Sequence, residues 1–368
     1  MPRCKTDLDI RLSIALLAAI VELVAAENSV AQTTAYTVSE VSAAIAAGQV
    51  PCRLNNLGDL VGREGKFGGG TGAATWSHGT MKRKHLGVLA GGDYSSASAI
   101  NDEGEVAGAA NTGESIIPFV WTLSGGVQHI PLLPGDNCGR PFSINKHGNV
   151  IGYSSGPNGV KAVLWTAGAG IQDLGTLSGS SYSRARDIND SNEIVGTVKT
   201  ASGDRAVLWA TVGNVRNLGT LPGDTSSEAT AINNAGDVVG YSNGPQGTRA
   251  FLWTRATGMQ NLGVLPGGNF SRALDINDAG EVIGTSTSSS GERAFVWTRG
   301  AGMQDLNDAL MTDAGVVFVE AHAINNKGQI LVMGMERDEA GMSDQTRAHQ
   351  HNVCAPAPEA TYLLTPAR

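Results

Sequence analysis

Charge is scarce in this chain: Asp, Glu, Lys and Arg make up 16% of it, where ~25% is common. The 26 Lys and Arg residues are scattered, form no basic stripe, and leave a formal net charge of -8. Phosphate backbones are held by clustered cations, so a nucleic-acid partner is excluded. Cysteine is limited to Cys4, Cys52, Cys138 and Cys354, with no C-x-x-C pair and no zinc ligand set of the usual spacing. No apolar run reaches the ~20 residues of a membrane-spanning helix, so no integral membrane protein is expected once the leader is removed. Glycine, in contrast, accounts for 49 of 368 residues, about 13% against a usual ~7%. A charge-poor, glycine-rich chain is what an all-β protein with many tight turns requires.

At the start, Arg3, Lys5 and Arg11 precede the apolar run Leu12 to Val21, and Ser29-Val30-Ala31 offers small residues before Gln32. Residues 1–31 read as a secretory signal peptide, with Asp7, Asp9 and Glu22 against it and a short N-terminal helix as the alternative. The rest, 32–368, is a single repeat-built domain. Tyr36-Thr37-Val38 reads as a lone strand, and Ser39 to Ala47 as a short helix stopped by Gly48.

The repeat has two markers. Tryptophans stand at 76, 121, 165, 209, 253 and 297, in steps of 45, 44, 44, 44 and 44. Ile-Asn turns begin at 100, 144, 188, 232, 276 and 324, and Leu54-Asn55 is an earlier, degenerate copy. Ala360 to Thr365 reads as a copy of Ala250 to Thr254 without its tryptophan. A fixed period of about 40–45 residues marks a β-propeller. Seven four-stranded blades of about 44 residues are expected, with cores near 54, 100, 144, 188, 232, 276 and 324; six blades with a degenerate leader is the alternative. In blade 6 the strands fall at Ala273–Asn277, Glu281–Thr285, Ala294–Thr298 and Met303–Leu306. The third strand is apolar at consecutive positions, as in Phe251-Leu252-Trp253, so it is buried on both faces, with the indole filling the wedge between blades. The chain ends one strand short, and Tyr36 to Val38 is one strand spare. The N-terminal strand therefore closes the ring by completing the last blade, which removes the exposed edge.

Asn-x-x-Gly turns and post-Trp turns share one face of such a ring. The second-to-third loops and the crossings between blades share the other, and these vary. Variable loops on a rigid scaffold are where binding resides. That face carries Tyr94, Asn137, Arg140, Tyr182, Arg184, Phe270 and Arg272, and an insertion from about Glu336 to Glu359. Tyr94, Arg140, Tyr182, Arg184, Phe270 and Arg272 are the candidate ligand-binding residues. Cys52 and Cys354 fall on neighbouring blades and this same face, a candidate disulfide in an exported protein, which leaves Cys138 free.

Other motifs are local chemistry. Gly152-Tyr153-Ser154-Ser155-Gly156 and Gly240-Tyr241-Ser242-Asn243-Gly244 match the G-x-S-x-G elbow, but that elbow joins a strand to a helix, and these lie at one phase of an all-β repeat. Asp275 to Gly280 hints at a calcium loop, which needs several converging oxygens; Ala279 interrupts it, and turn chemistry accounts for its Asn and Asp. His349, His351 and Cys354 form an H-x-H-x-x-C cluster that could hold zinc or copper, with a polar surface loop as the plainer reading. No cofactor is expected.

The phrases Ala250-Phe251-Leu252-Trp253-Thr254, Gly302-Met303-Gln304-Asp305-Leu306, Leu218-Gly219-Thr220-Leu221-Pro222-Gly223 and Ala231-Ile232-Asn233-Asn234-Ala235-Gly236 together resemble the bacterial extracellular repeat family called HAF, over about Leu54 to Pro366. The resemblance implies export and repeats and brings no catalytic residues. This chain lacks the C-terminal sorting segment that some such proteins carry. The expected function is that of a secreted, monomeric, non-enzymatic binding scaffold for a protein or glycan. A structural envelope or matrix protein is the alternative, and a propeller-type hydrolase or lyase ranks below both.

Overall fold

Each Ile-Asn turn in this chain ends one strand and starts the next, and each copy yields four. In the computed structural model, which describes residues 34–41, 50–67, 70–113, 115–336 and 360–367, blade 6 consists of Ser271–Ile276, Val282–Ser288, Gly291–Thr298 and Gly302–Asp305. These pair in sequence order, antiparallel throughout. Leu306, expected to end the fourth strand, instead begins a 3-10 turn whose N-cap is Asp305. Seven such four-stranded sheets form a seven-bladed β-propeller. The first strands are Val50–Leu54, Ser95–Ile100, Cys138–Ile144, Ser183–Ile188, Ser226–Ile232, Ser271–Ile276 and Val316–Ile324, for blades 1 to 7. They touch one another around the ring and line its central channel. No described helix is long and apolar enough to cross a membrane.

Blade 7 draws on both ends of the chain. Its order is Val316–Ile324, Ile330–Glu336, Ala360–Pro366 and then Tyr36–Glu40. The N-terminal strand pairs antiparallel with Ala360–Pro366, Val38 opposite Leu364. Ser39 and Glu40 continue this strand rather than starting a helix, because each has a register partner, Leu363 and Tyr362. Val41 is helical and buried; residues 42–47 of the expected helix, the leader, and the segment 337–359 with His349, His351 and Cys354 lie outside the described residues.

The hydrophobic cores lie between blades. Ile151, Ala162 and Leu164 of blade 3 pack with Ile188, Ile194, Val207 and Trp209 of blade 4. The same arrangement recurs at all seven interfaces, including that of blade 7 with blade 1. Phe251, Leu252 and Trp253 are all at most 3% exposed, because a third strand has a neighbouring blade against each face. Each fully buried Val, Leu or Phe contributes roughly 1.5–3 kcal/mol.

Polar contacts join the blades as well. The turn asparagine of each blade is buried, and its Oδ1 accepts from backbone amides of its own turn, one for Asn101 and two for the others, as Asn277 does from Ala279 and Glu281. Its Nδ2 donates to the backbone carbonyl of the next blade's asparagine. The links run Asn55 to Asn101, Asn101 to Asn145, Asn145 to Asn189 and Asn189 to Asn233. They continue from Asn233 to Asn277 to Asn325 and return from Asn325 to Asn55. Turn chemistry alone therefore did not account for these residues. A second, exposed ring runs one residue later: Asn326, for example, donates its backbone amide to Asn56 Oδ1 at 2.8 Å, and Asn56 to Asp102 Oδ1 at 2.8 Å. Lys146 has no acceptor to offer, and among the described residues the link from Asp102 to blade 3 is missing.

Candidate binding site at the channel mouth

The inner strands carry a β-bulge near their ends, as between Ala185 and Asp187 or Ala273 and Asp275. A second-strand glycine makes room beside it. A Cβ on Gly196 would lie 2.0 Å from the Arg184 carbonyl, and one on Gly284 2.0 Å from that of Arg272. No other residue permits that approach. Before the bulge, the inner strands place Ser96, Arg140, Arg184, Glu228, Arg272 and Glu320 at one level of successive blades, nearest the crossing face.

Two arginines at this level form matching clamps. Arg184 Cζ lies 4.9 Å from the Tyr153 ring centroid and 5.4 Å from that of Tyr182. Two blades on, Arg272 lies 4.5 Å from Tyr241 and 5.2 Å from Phe270. Every member of the second clamp stands 88 residues after its counterpart in the first. Guanidinium groups lie over aromatic faces in this way, attracted by the ring quadrupole. Lys199 Nζ covers Tyr182 at 4.6 Å, and Arg186 covers Phe142 at 5.2 Å. Burial raises the Tyr153 hydroxyl's pKa, with Cys138 adding to the effect and Arg140 opposing it. Burial also raises that of Tyr241, reinforced by Glu228, to which its hydroxyl is hydrogen-bonded.

The candidates Tyr182, Arg184, Phe270 and Arg272 are thus brought into two aromatic–arginine groups, and Arg140 stands opposite Tyr153 across the strand pair. Tyr94 occupies the same phase as Tyr182, but Ser96 replaces the arginine, and no cation covers it among the described residues. Asn137 is held by its backbone amide to Ser155. Sequence reasoning missed Tyr153 and Tyr241, which were read only as letters of the elbow motif. Their 88-residue spacing, matching Arg184 and Arg272, was the available signal. The elbow serines are fully buried within strands: Ser154 Oγ accepts from Leu133 N and donates to Asp136, and Ser242 Oγ accepts from Leu221 N.

Deeper in the channel, beyond the bulge, Arg53, Ser143, Arg186, Asp187 and Asp275 line one cavity. Asp187 accepts from Ser143 Oγ, from its neighbour Ile188 N, and from Ile232 N of the next blade. Asp275 accepts from Ile276 N and from Ile324 N of blade 7. Burial raises both carboxyls. For Asp275 burial outweighs Arg53, and with Asp187 adding its charge the pKa reaches about 7. In the calcium-like loop, Asp275 turns to these channel amides while Asp278 binds Asn234 and Asn326 on the turn face, so their oxygens do not converge.

Cys138 carries a free thiol. Cys52 is buried and disulfide-bonded; its expected partner, Cys354, lies outside the described residues.

No family model and no curated protein matches the chain. Among solved structures, it is similar to virginiamycin B lyase from Staphylococcus aureus, at 12% identity and TM-score 0.53, over 90% of this chain and 100% of that one. It also resembles the β-propeller domain of the Trilobed protease from Pyrococcus furiosus, at 10% identity and TM-score 0.50, over 80% and 92% of the two chains. A prolyl endopeptidase matches at 12% identity and TM-score 0.54, over 82% of this chain and 47% of that one, so the likeness spans about half of that enzyme. At such identity these likenesses establish a propeller fold and nothing of its chemistry.

Proposed function

We propose that this chain is an exported, non-enzymatic binding module that engages its partner, a protein or glycan, at the crossing-face mouth of the channel. The observation that carries this reading is the pair of aromatic–arginine clamps, Tyr153-Tyr182-Arg184 and Tyr241-Phe270-Arg272. Aromatic and arginine side chains held rigidly on a scaffold are the residue types that dominate recognition energies. Export follows from the leader-like N-terminus and from the resemblance to HAF-type repeats. A non-enzymatic role is supported by the mouth's chemistry, because catalysis needs dissimilar groups poised about one reacting atom. The channel's titratable carboxylates, Asp187 and Asp275, are instead held by backbone amides.

The test is to display the full chain against arrays of proteins and glycans, then to repeat any hit with Tyr182→Ala and Phe270→Ala. Binding reduced at least tenfold by either substitution supports the reading. A ligand retained at full affinity by both variants, and lost on altering the Asn-turn face, overturns it.

A further inference from the structure

The two clamps differ from the other arginine sites in this protein. Arg205, Arg249 and Arg293 donate to backbone carbonyls. Arg140, Arg184, Arg186 and Arg272 have no protein hydrogen-bond acceptor and no ion-pairing carboxylate among the described residues. Four buried side-chain polar atoms in the described residues have no partner, and three of them meet at this one level: Arg184 Nε, Arg272 Nε and Thr197 Oγ1. Thr197 lies opposite Arg184 in the strand pair and takes the place in blade 4 that Tyr153 and Tyr241 take in blades 3 and 5. A buried polar group without a partner is costly, and Arg184 and Arg272, only partly buried as residues, are the two that an incoming acceptor could approach.

We infer that the channel mouth between blades 3 and 6 binds an acidic oligosaccharide, its carboxylates received by the guanidiniums of Arg184 and Arg272. This rests on the binding-module reading and specifies its ligand. A guanidinium is a planar fork that matches a carboxylate. Between the clamps stands the Glu228 carboxylate of blade 5, which can accept from sugar hydroxyls as well as from the Tyr241 hydroxyl. The sequence of acid, hydroxyl and acid sites therefore suits a uronate chain. The mouth level holds Arg140, Arg184 and Arg272, with Lys199 over Tyr182, against Glu228 and Glu320, on a chain of net charge -8, and that local excess of cations attracts an anion.

The experiment is calorimetric titration of the full chain with oligogalacturonate, with the same oligosaccharide after carboxyl reduction, and with a polyglutamate peptide. Oligogalacturonate should bind, the reduced form at least tenfold more weakly. Arg184→Gln and Arg272→Gln should each weaken binding tenfold or more at unchanged melting temperature, and Arg184→Lys should restore only part of it. Equal binding of the reduced oligosaccharide, sensitive to Tyr182→Ala but not to Arg184→Gln, would overturn the inference while leaving the binding-module reading standing. Binding of polyglutamate alone would overturn it in favour of an acidic peptide, and so would the absence of binding by all three probes. If one variant misfolds, Arg140→Gln provides the same comparison from the adjacent blade.

Discussion

Asn325 donates its side-chain amide to the backbone carbonyl of Asn55, 270 residues earlier, at 3.0 Å. The same bond joins every other pair of neighbouring blades, so closure of the ring uses the contact that builds it. Asn325→Asp keeps the acceptor that serves Lys327 N and Gln329 N, removes the donor to Asn55 O and Gln329 Oε1, and sets a carboxyl in its buried place. The expected cost is roughly 1–3 kcal/mol, read from denaturant unfolding, with Asn145→Asp as a like-sized control inside the ring. A loss at Asn145 but none at Asn325 would show that the last joint relies on other contacts.

Tyr36 is 1% exposed and packs in the core shared by blades 6 and 7. Tyr36→Ala should cost about 3–5 kcal/mol, as large-to-small changes in cores do. Hydrogen exchange should show amides of Ala360–Pro366 losing protection first, since that strand is the one left with an open edge.

Stability should depend on pH through Asp275. Its pKa is about 7 in the fold and near 3.8 when unfolded, so the native state holds the proton more tightly. Its stabilising contribution is complete below about pH 3.8, declines as pH rises toward 7, and is lost above that. Blades 2, 5 and 7 carry Ala99, Ala231 and Ala323 at this position, which makes Asp275→Ala the natural control. Denaturant midpoints of the wild type should fall between pH 4 and 8 relative to this variant. A parallel pair of pH curves would rule out the titration.

Gly196→Ala would push a methyl against the Arg184 carbonyl. Overpacking of this kind costs roughly 1–3 kcal/mol, and the bulge that aims Arg184 must shift. Ligand affinity at the mouth should drop along with the melting temperature, whereas Gly300→Ala, with nothing within 4 Å of its added Cβ, should change neither.

The blades were legible because six of the seven copies reuse the same Trp and all seven the same Asn, and the spare Tyr36–Val38 strand matched the missing one in number. Half of each clamp was legible too. Tyr182 and Arg184 are neighbours in sequence, and their exposure on a crossing follows from phase alone. Tyr153 was not, because it reaches Arg184 from the preceding blade, and nothing local marks a contact across a 31-residue separation. The asparagine ring was hidden for a different reason. A single turn explains why Asn277 accepts two amides, and only the assembled ring provides the carbonyl to which it donates.

Lys146 interrupts the outer turn ring between blades 2 and 3, while the joint between blades 7 and 1 is complete. The molecule's mechanical seam is therefore displaced from its covalent one. Linking Pro366 to Ala35 and opening the chain in the turn at His147 would place the new ends beside an already incomplete link. Such a circular permutant should retain the propeller, since which blade comes first is a matter of genetic order rather than of architecture.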